Sequence, residues 1–133
     1  MTFNTSRQAY FYLRKIMTSE VEELWAVALR SDSTVLRSTC LFRGTVDSCF
    51  AHPRDIFRLA CLENAASLLL AHNHPSGNAL PSLADIRFTR KIIRASQIMS
   101  IPILDHIILG RDSYWSFTDK RLYSAKDFTL DSL

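Results

Sequence analysis

The chain has 133 residues, with 16 Lys or Arg against 13 Asp or Glu and a net charge of +3. That length suits one domain with its own core, and 47% apolar with 22% charged residues is an ordinary soluble composition. The charge is too weak to argue for nucleic acid, no apolar run reaches the ~18 residues of a membrane span, and MTFNTSRQAY lacks a signal-peptide core, so a cytoplasmic protein is expected.

Ser6 reads as a helix N-cap, followed by Ala9, Leu13, Ile16 and Met17 at helical spacing. Glu23 to Leu29 (ELWAVAL) is apolar on both alternating faces after its first residue, which predicts an interior strand that begins on a carboxylate. A polar turn at Ser31 to Ser33 leads to Thr34 to Phe42 as its hairpin partner, and Arg43-Gly44-Thr45 marks a break. His52-Pro53 opens a helix, with Asp55 in its first turn, running to about Ala66. Ser67 to Ala71 predicts a short buried strand ending at His72, and Pro75 to Asn78 a loop. A second helix spans Ser82 to about Ile98, a long apolar strand Ile101 to Leu109, and a short strand Tyr114 to Phe117. The pattern fades after Lys120, with Asp127 to Leu133 as a loose tail. Alternating strands and helices argue for one α/β domain whose mixed sheet is covered by helices.

Cys40, Cys49 and Cys61 are odd in number and form no CxxC pair, so neither a disulfide framework nor a cysteine zinc knuckle fits; they read as small buried hydrophobes. The three glycines, Gly44, Gly77 and Gly110, are too far apart for GxGxxG or a Walker loop. Nucleotide chemistry is not expected.

The informative stretch is His72-Asn73-His74-Pro75, then Ser82-Leu83-Ala84-Asp85. Histidines at i and i+2 leaving a strand point to one side, and Pro75 keeps His74 extended. Both rings can then reach one ion at ~2.0–2.1 Å. Asp85, one turn into the next helix, is kept ionised by the helix N-terminus. Two His and one carboxylate leave a fourth tetrahedral position open, as catalytic zinc sites do. Ser82 can accept a capping bond while its O–H donates to a developing oxyanion. The same Ser-x-x-Asp spacing is also a plain capping box.

The stretch H72-N-H-P-x6-S82-x-x-D85 resembles the JAMM (MPN+ or JAB) metalloprotease motif, His-x-His-x7-Ser-x2-Asp, at every spacing. The longer text is similar to the RadC-like branch of that superfamily: RGTVDSCFAHPRDIFRLACLENAASLLLAHNHPSG, PSLADIRFTRKI, ILDHIILG and Ser116-Phe117. The similarity spans about residues 6 to 120. It implies a single JAB/MPN domain in cytidine-deaminase-like α–β–α layers, with one zinc ion on His72, His74 and Asp85. It also implies a glutamate base at the start of an early strand. Glu23 matches that place, and Glu22 is its rival among four glutamates, because a one-residue slip would exchange them. Many RadC-like proteins carry an N-terminal helix–hairpin–helix extension, which this sequence begins too late to contain. A tight nucleic-acid ligand is therefore not expected, and the family's DNA-repair label reads as inherited naming.

Arg87, Arg90, Lys91 and Arg94 form one basic stripe, read as a solvated helix face, with a phosphate or acidic partner as the functional alternative. Of Asp105 and His106, adjacent in a strand, at most one can face the metal. Asn73 is expected to face away from the metal and satisfy loop backbone, and His52 to start its helix. The reading that follows is a zinc-dependent hydrolase of amide-type bonds, a peptidase or isopeptidase, with Glu23 and Ser82 as catalytic residues. Its rivals are a non-enzymatic metal-containing module in a DNA-repair-associated complex and a non-haem iron site. The substrate would meet the Ser76 to Pro81 loop and the surface beside Glu23.

Overall fold

The computed structural model describes residues 2–44, 51–124 and 127. Its elements are α1 (Ser6–Ile16), β1 (Glu22–Leu29), β2 (Val35–Gly44), α2 (Pro53–Leu62), β3 (Ser67–Asn73), α3 (Leu83–Met99), β4 (Ile103–Leu109), β5 (Ser113–Ser116) and β6 (Arg121–Ser124). The strands form one sheet in the order β2-β1-β3-β4-β5-β6. Only β3 and β4 run parallel; the other neighbours are antiparallel. A parallel pair needs a crossover, and α3 supplies it.

Alternation along the strands sorts the sheet into two apolar faces. Val27, Leu29, Leu69, Ala71 and Ile107 cluster with Tyr10 and Leu13 of α1. On the other face, Leu24, Ala26 and Leu70 cluster with Ile56 and Ala60 of α2 and with Phe88 and Ile92 of α3. The sheet therefore lies between α1 and the α2–α3 layer, the expected α–β–α arrangement. Strands β1 and β3 are interior and covered on both faces, so ELWAVAL and SLLLAH are nearly continuous apolar runs.

Several local expectations are corrected. The N-cap of α1 is Thr5, whose side chain accepts from the Gln8 N–H. Ser6 instead bonds Asp119 and Tyr114, tying the helix to the far end of the sheet. Arg43 and Gly44 do not break β2 but continue it, paired with Glu23 and Glu22. Helix α2 stops at Leu62 and not near Ala66. Asn64 turns the chain at φ 51°, and the Ala66 N–H already joins the Leu29 carbonyl. Strand β6 was not expected; four half-exposed residues at a sheet edge carry too little apolar alternation to register. Cys61 is exposed and Cys40 only half-buried, against the expectation of buried thiols. Cys49, Thr45 and residues 128–133 lie outside the described residues.

The loop after β3 is docked rather than free. The His74 N–H bonds the Leu109 carbonyl at 2.9 Å and the Arg111 N–H bonds the Gly77 carbonyl at 3.0 Å. Gly77 takes φ +93°, and a Cβ on Gly110 would lie 2.5 Å from the Gly77 carbonyl oxygen. Both positions need glycine, one for its backbone angle and one for close approach.

Candidate metal centre

His72 is the sixth residue of β3 and is fully buried on the α2–α3 face. It faces that way because its cross-strand partner is Leu24, a member of the same core face. His74 follows two residues later on the same side, as period-two alternation requires. Its Nδ1 lies 2.7 Å from the Asn78 carbonyl oxygen. A carbonyl only accepts, so Nδ1 carries the hydrogen and Nε2 the lone pair.

Asp85 is the third residue of α3, and Ser82 is that helix's N-cap. A reciprocal capping box joins them: Ser82 Oγ accepts from the Asp85 N–H at 3.1 Å, and the Ser82 N–H donates to Asp85 Oδ2 at 2.8 Å. The box aims the carboxylate inward, where Asp85 is only 2% exposed. The Ser82 hydroxyl hydrogen is taken by no acceptor among the described residues, which leaves it available toward the site.

Three side chains converge. His72 Nε2 and His74 Nε2 are 3.1 Å apart, His74 Nε2 lies 3.0 Å from Asp85 Oδ2, and His72 Nε2 lies 3.2 Å from Asp85 Oδ1. Bonds of ~2.05 Å at tetrahedral angles set neighbouring ligand atoms about 3.3 Å apart, close to these values. A lone-pair nitrogen facing a carboxylate and a second imidazole nitrogen also calls for a positive centre among them. The group could hold a metal ion, and the donors fit one.

Burial alone would raise the Asp85 carboxyl, but its close contacts with the His72 and His74 rings hold it well below the usual carboxylate range. Burial alone would lower the His74 imidazole. Its bonds to Asp85 and the Asn78 carbonyl, with the charges of Asp85 and Glu22, outweigh that and raise it above 6.5.

Glu23 does not join this group. Leu24 shares the face of His72, so alternation turns Glu23 to the α1 side. There its Oε1 accepts from Trp25 Nε1 at 3.1 Å and its Oε2 from Arg43 Nε at 2.7 Å. The expected orientation of Glu23 is thereby corrected: the sequence places it at the right end of β1, and the pleat decides the face. The same alternation puts Glu22 on the histidine side, and its charge is among those that raise His74.

Asn73 faces away from the site, as expected. It accepts from the Glu23 N–H at 2.7 Å and donates to the carbonyls of Ser19 and Val21, pinning the entry to β1. His52 caps α2 through a bond from the Arg54 N–H. Arg87, Arg90, Lys91 and Arg94 are exposed on α3 and form no ion pair among the described residues. Of the Asp105–His106 pair, His106 faces the centre, its Nε2 2.8 Å from His72 Nδ1. Asp105 turns to the other face and holds Ser116 and Thr118. Thr89, whose hydroxyl lies 2.7 Å from His106 Nδ1, was missed. Its signal was available: four residues after Asp85, it lies on the same face of the helix.

The family model of the RadC-like JAB domain matches residues 3–122. A UPF0758 protein of Pasteurella multocida is 39% identical over 121 residues, covering 90% of this chain and 54% of the relative. A UPF0758 protein of Enterococcus faecalis is 37% identical over 114 residues, covering 86% and 49%. The chain thus spans about half the length of these curated relatives.

Proposed function

We propose that this chain, which belongs to the RadC-like JAB domain family, is a zinc-dependent hydrolase of amide-type bonds, a metallopeptidase or isopeptidase. The observation that carries the reading is the convergence of His72 Nε2, His74 Nε2 and the Asp85 carboxylate at tetrahedral-edge distances. These three side chains would hold the zinc ion. When bound, it would supply Lewis acidity toward a carbonyl and a water molecule.

The remaining roles belong to the chain. Ser82, capped on Asp85 with its hydroxyl hydrogen taken by no acceptor among the described residues, steadies the oxyanion of the tetrahedral intermediate. A glutamate at the start of β1 takes the proton of the attacking water and returns it to the leaving amine. The family resemblance points to Glu23, whereas the alternation of β1, which turns Glu22 to the histidine side, supports Glu22. Turnover by Glu22→Gln and by Glu23→Gln decides between them. The Ser76 to Pro81 loop flanks the centre and offers the first surface to a peptide or isopeptide substrate.

The test is hydrolysis of a panel of peptides and Lys-linked isopeptides by the purified protein, before and after chelation. Turnover that chelation abolishes and zinc restores supports the proposal. Full turnover with the metal removed contradicts it. A second reading, a metal-containing binding module in a DNA-associated complex, rests on the four exposed cations of α3, which form no ion pair among the described residues. It predicts a sub-micromolar, sequence- or structure-specific affinity that persists at physiological salt, where the hydrolase reading expects weak and steeply salt-dependent binding.

A further inference from the structure

Behind the candidate ligands lies a buried chain of polar side chains that the hydrolase reading does not use. Thr89 Oγ1 is 2.7 Å from the Asp85 carbonyl oxygen and 2.7 Å from His106 Nδ1. His106 Nε2 is 2.8 Å from His72 Nδ1. His72 and His106 are each no more than 1% exposed, and Thr89 is 3% exposed.

For a neutral His106, the form that its burial favours, counting hydrogens fixes the direction of every bond. The Asp85 carbonyl can only accept, so the single hydroxyl hydrogen of Thr89 goes to it. Thr89 Oγ1 must then accept from His106, which places the hydrogen of that ring on Nδ1. The Nε2 of His106 is left with a lone pair and must accept, so His72 Nδ1 carries a hydrogen and donates. With His106 in that neutral form, any other assignment faces two lone pairs, or two hydrogens, across one of these three short contacts. The His106 ring is held in plane by Phe117, stacked at 4.9 Å and 19°, with the Phe88 ring edge-on at 6.2 Å.

We infer that Thr89 and His106 are positioning residues that fix the ring orientation and tautomer of His72, so that its Nε2 lone pair is presented to the metal. The chain starts on the backbone of Asp85 and ends on His72, so it ties two of the three candidate ligands to each other through groups that touch no metal. His74 is oriented separately, by the Asn78 carbonyl. Metal-bound histidines commonly donate their outer nitrogen to a carboxylate, a carbonyl or water. An imidazole in that place adds no charge, so Asp85 supplies the only formal negative charge of the ligand set.

This inference rests on the proposed metal centre, and two readouts keep the two claims separable. The first is nitrogen-15 NMR of the histidine rings in the metal-free and zinc-loaded protein. His106 is expected as the Nδ1–H tautomer with an accepting Nε2, and His72 with a hydrogen on Nδ1, in both forms. A hydrogen on Nε2 of His106 overturns the inference whether or not zinc binds. The second is zinc affinity by competition with a chromogenic chelator. Thr89→Val, which exchanges the hydroxyl for a methyl group of similar size, and His106→Leu should each weaken zinc binding by about 10–100-fold. Thr89→Ser restores the hydroxyl and should return affinity to within about threefold of wild type, a rescue expected only if the hydroxyl acts through this chain. Equal affinity in Thr89→Val and Thr89→Ser overturns the inference. A wild-type protein that takes up no zinc overturns the metal reading instead, and the tautomers then decide this one.

Discussion

Replacing each of two neighbouring glutamates by glutamine separates the register of β1 from the chemistry assigned to it. Glu23 is 2% exposed and bonded to Trp25 and Arg43. Glu23→Gln keeps an oxygen for Trp25 but loses the charge that pairs with Arg43. The Arg43 side chain is 64% exposed, so water screens the pair. The loss should be about 1 kcal/mol, below the 3–5 kcal/mol of breaking a fully buried pair. With a urea dependence of roughly 2 kcal/mol per molar, the unfolding midpoint of the metal-free protein should fall by about 0.5 M. The Glu22 carboxylate forms no hydrogen bond or ion pair among the described residues, and Glu22→Gln should shift stability by less than about 0.5 kcal/mol. In turnover the order is independent of this. The variant that lacks the proton shuttle should keep its zinc and lose about 10²–10⁴ in rate, or roughly 3–5 kcal/mol in barrier. A larger destabilisation from Glu22→Gln than from Glu23→Gln would refute the register. Wild-type rates in both variants, on a substrate whose turnover chelation abolishes, would remove the carboxylate from the mechanism.

The pH dependence of the metal-free protein follows from two histidines of opposite sign. Below 6.5 the unfolded chain protonates His106 while burial keeps the native ring neutral, so stability is lost as pH falls through that range, by up to about 1.4 kcal/mol per unit. His74, raised above 6.5, contributes stability that is complete below 6.5 and fades as pH rises through its native value. Urea midpoints measured from pH 5 to 8 should therefore peak near 6.5, and a monotonic profile would count against the assignment of these shifts. Gly110→Ala should destabilise the protein by about 1–3 kcal/mol, because the new Cβ would meet the Gly77 carbonyl and Ser113 Oγ at 2.5 and 2.6 Å. The same variant should weaken zinc binding through the loop that carries His74, and unchanged urea midpoint and affinity would show that the loop is not clamped there.

Much of this was legible in the sequence because the signals were local. The buried runs of β1 and β3, the Pro53 start of α2 and the Ser82–Asp85 capping box each depend on a few consecutive residues. The spacing of His72, His74 and Asp85 needed only strand alternation and one helical turn. What stayed hidden depends on partners distant in sequence. Whether Glu22 or Glu23 faces the histidines is set by the pairing of Leu24 with His72, 48 positions on. The choice between Asp105 and His106 is likewise set by the alignment of β4 with β3, where His106 stands beside Leu70. Ser6 looked like a cap because serine favours that position, yet Thr5 takes the bond and Ser6 is used by Tyr114 and Asp119. Strand β6 is specified by its pairing with β5 more than by its own four residues.

The central claim is that His72, His74 and Asp85 hold one zinc ion, and anomalous diffraction at the zinc edge tests it most directly. Crystals of the protein purified without added metal, and crystals grown with equimolar zinc, would be measured above and below the edge. The account predicts a single strong peak about 2.0–2.2 Å from His72 Nε2, His74 Nε2 and an Asp85 oxygen. Side chains that hydrogen-bond to one another with no peak between them in the zinc-grown crystals would contradict it, as would an ion bound at full occupancy elsewhere.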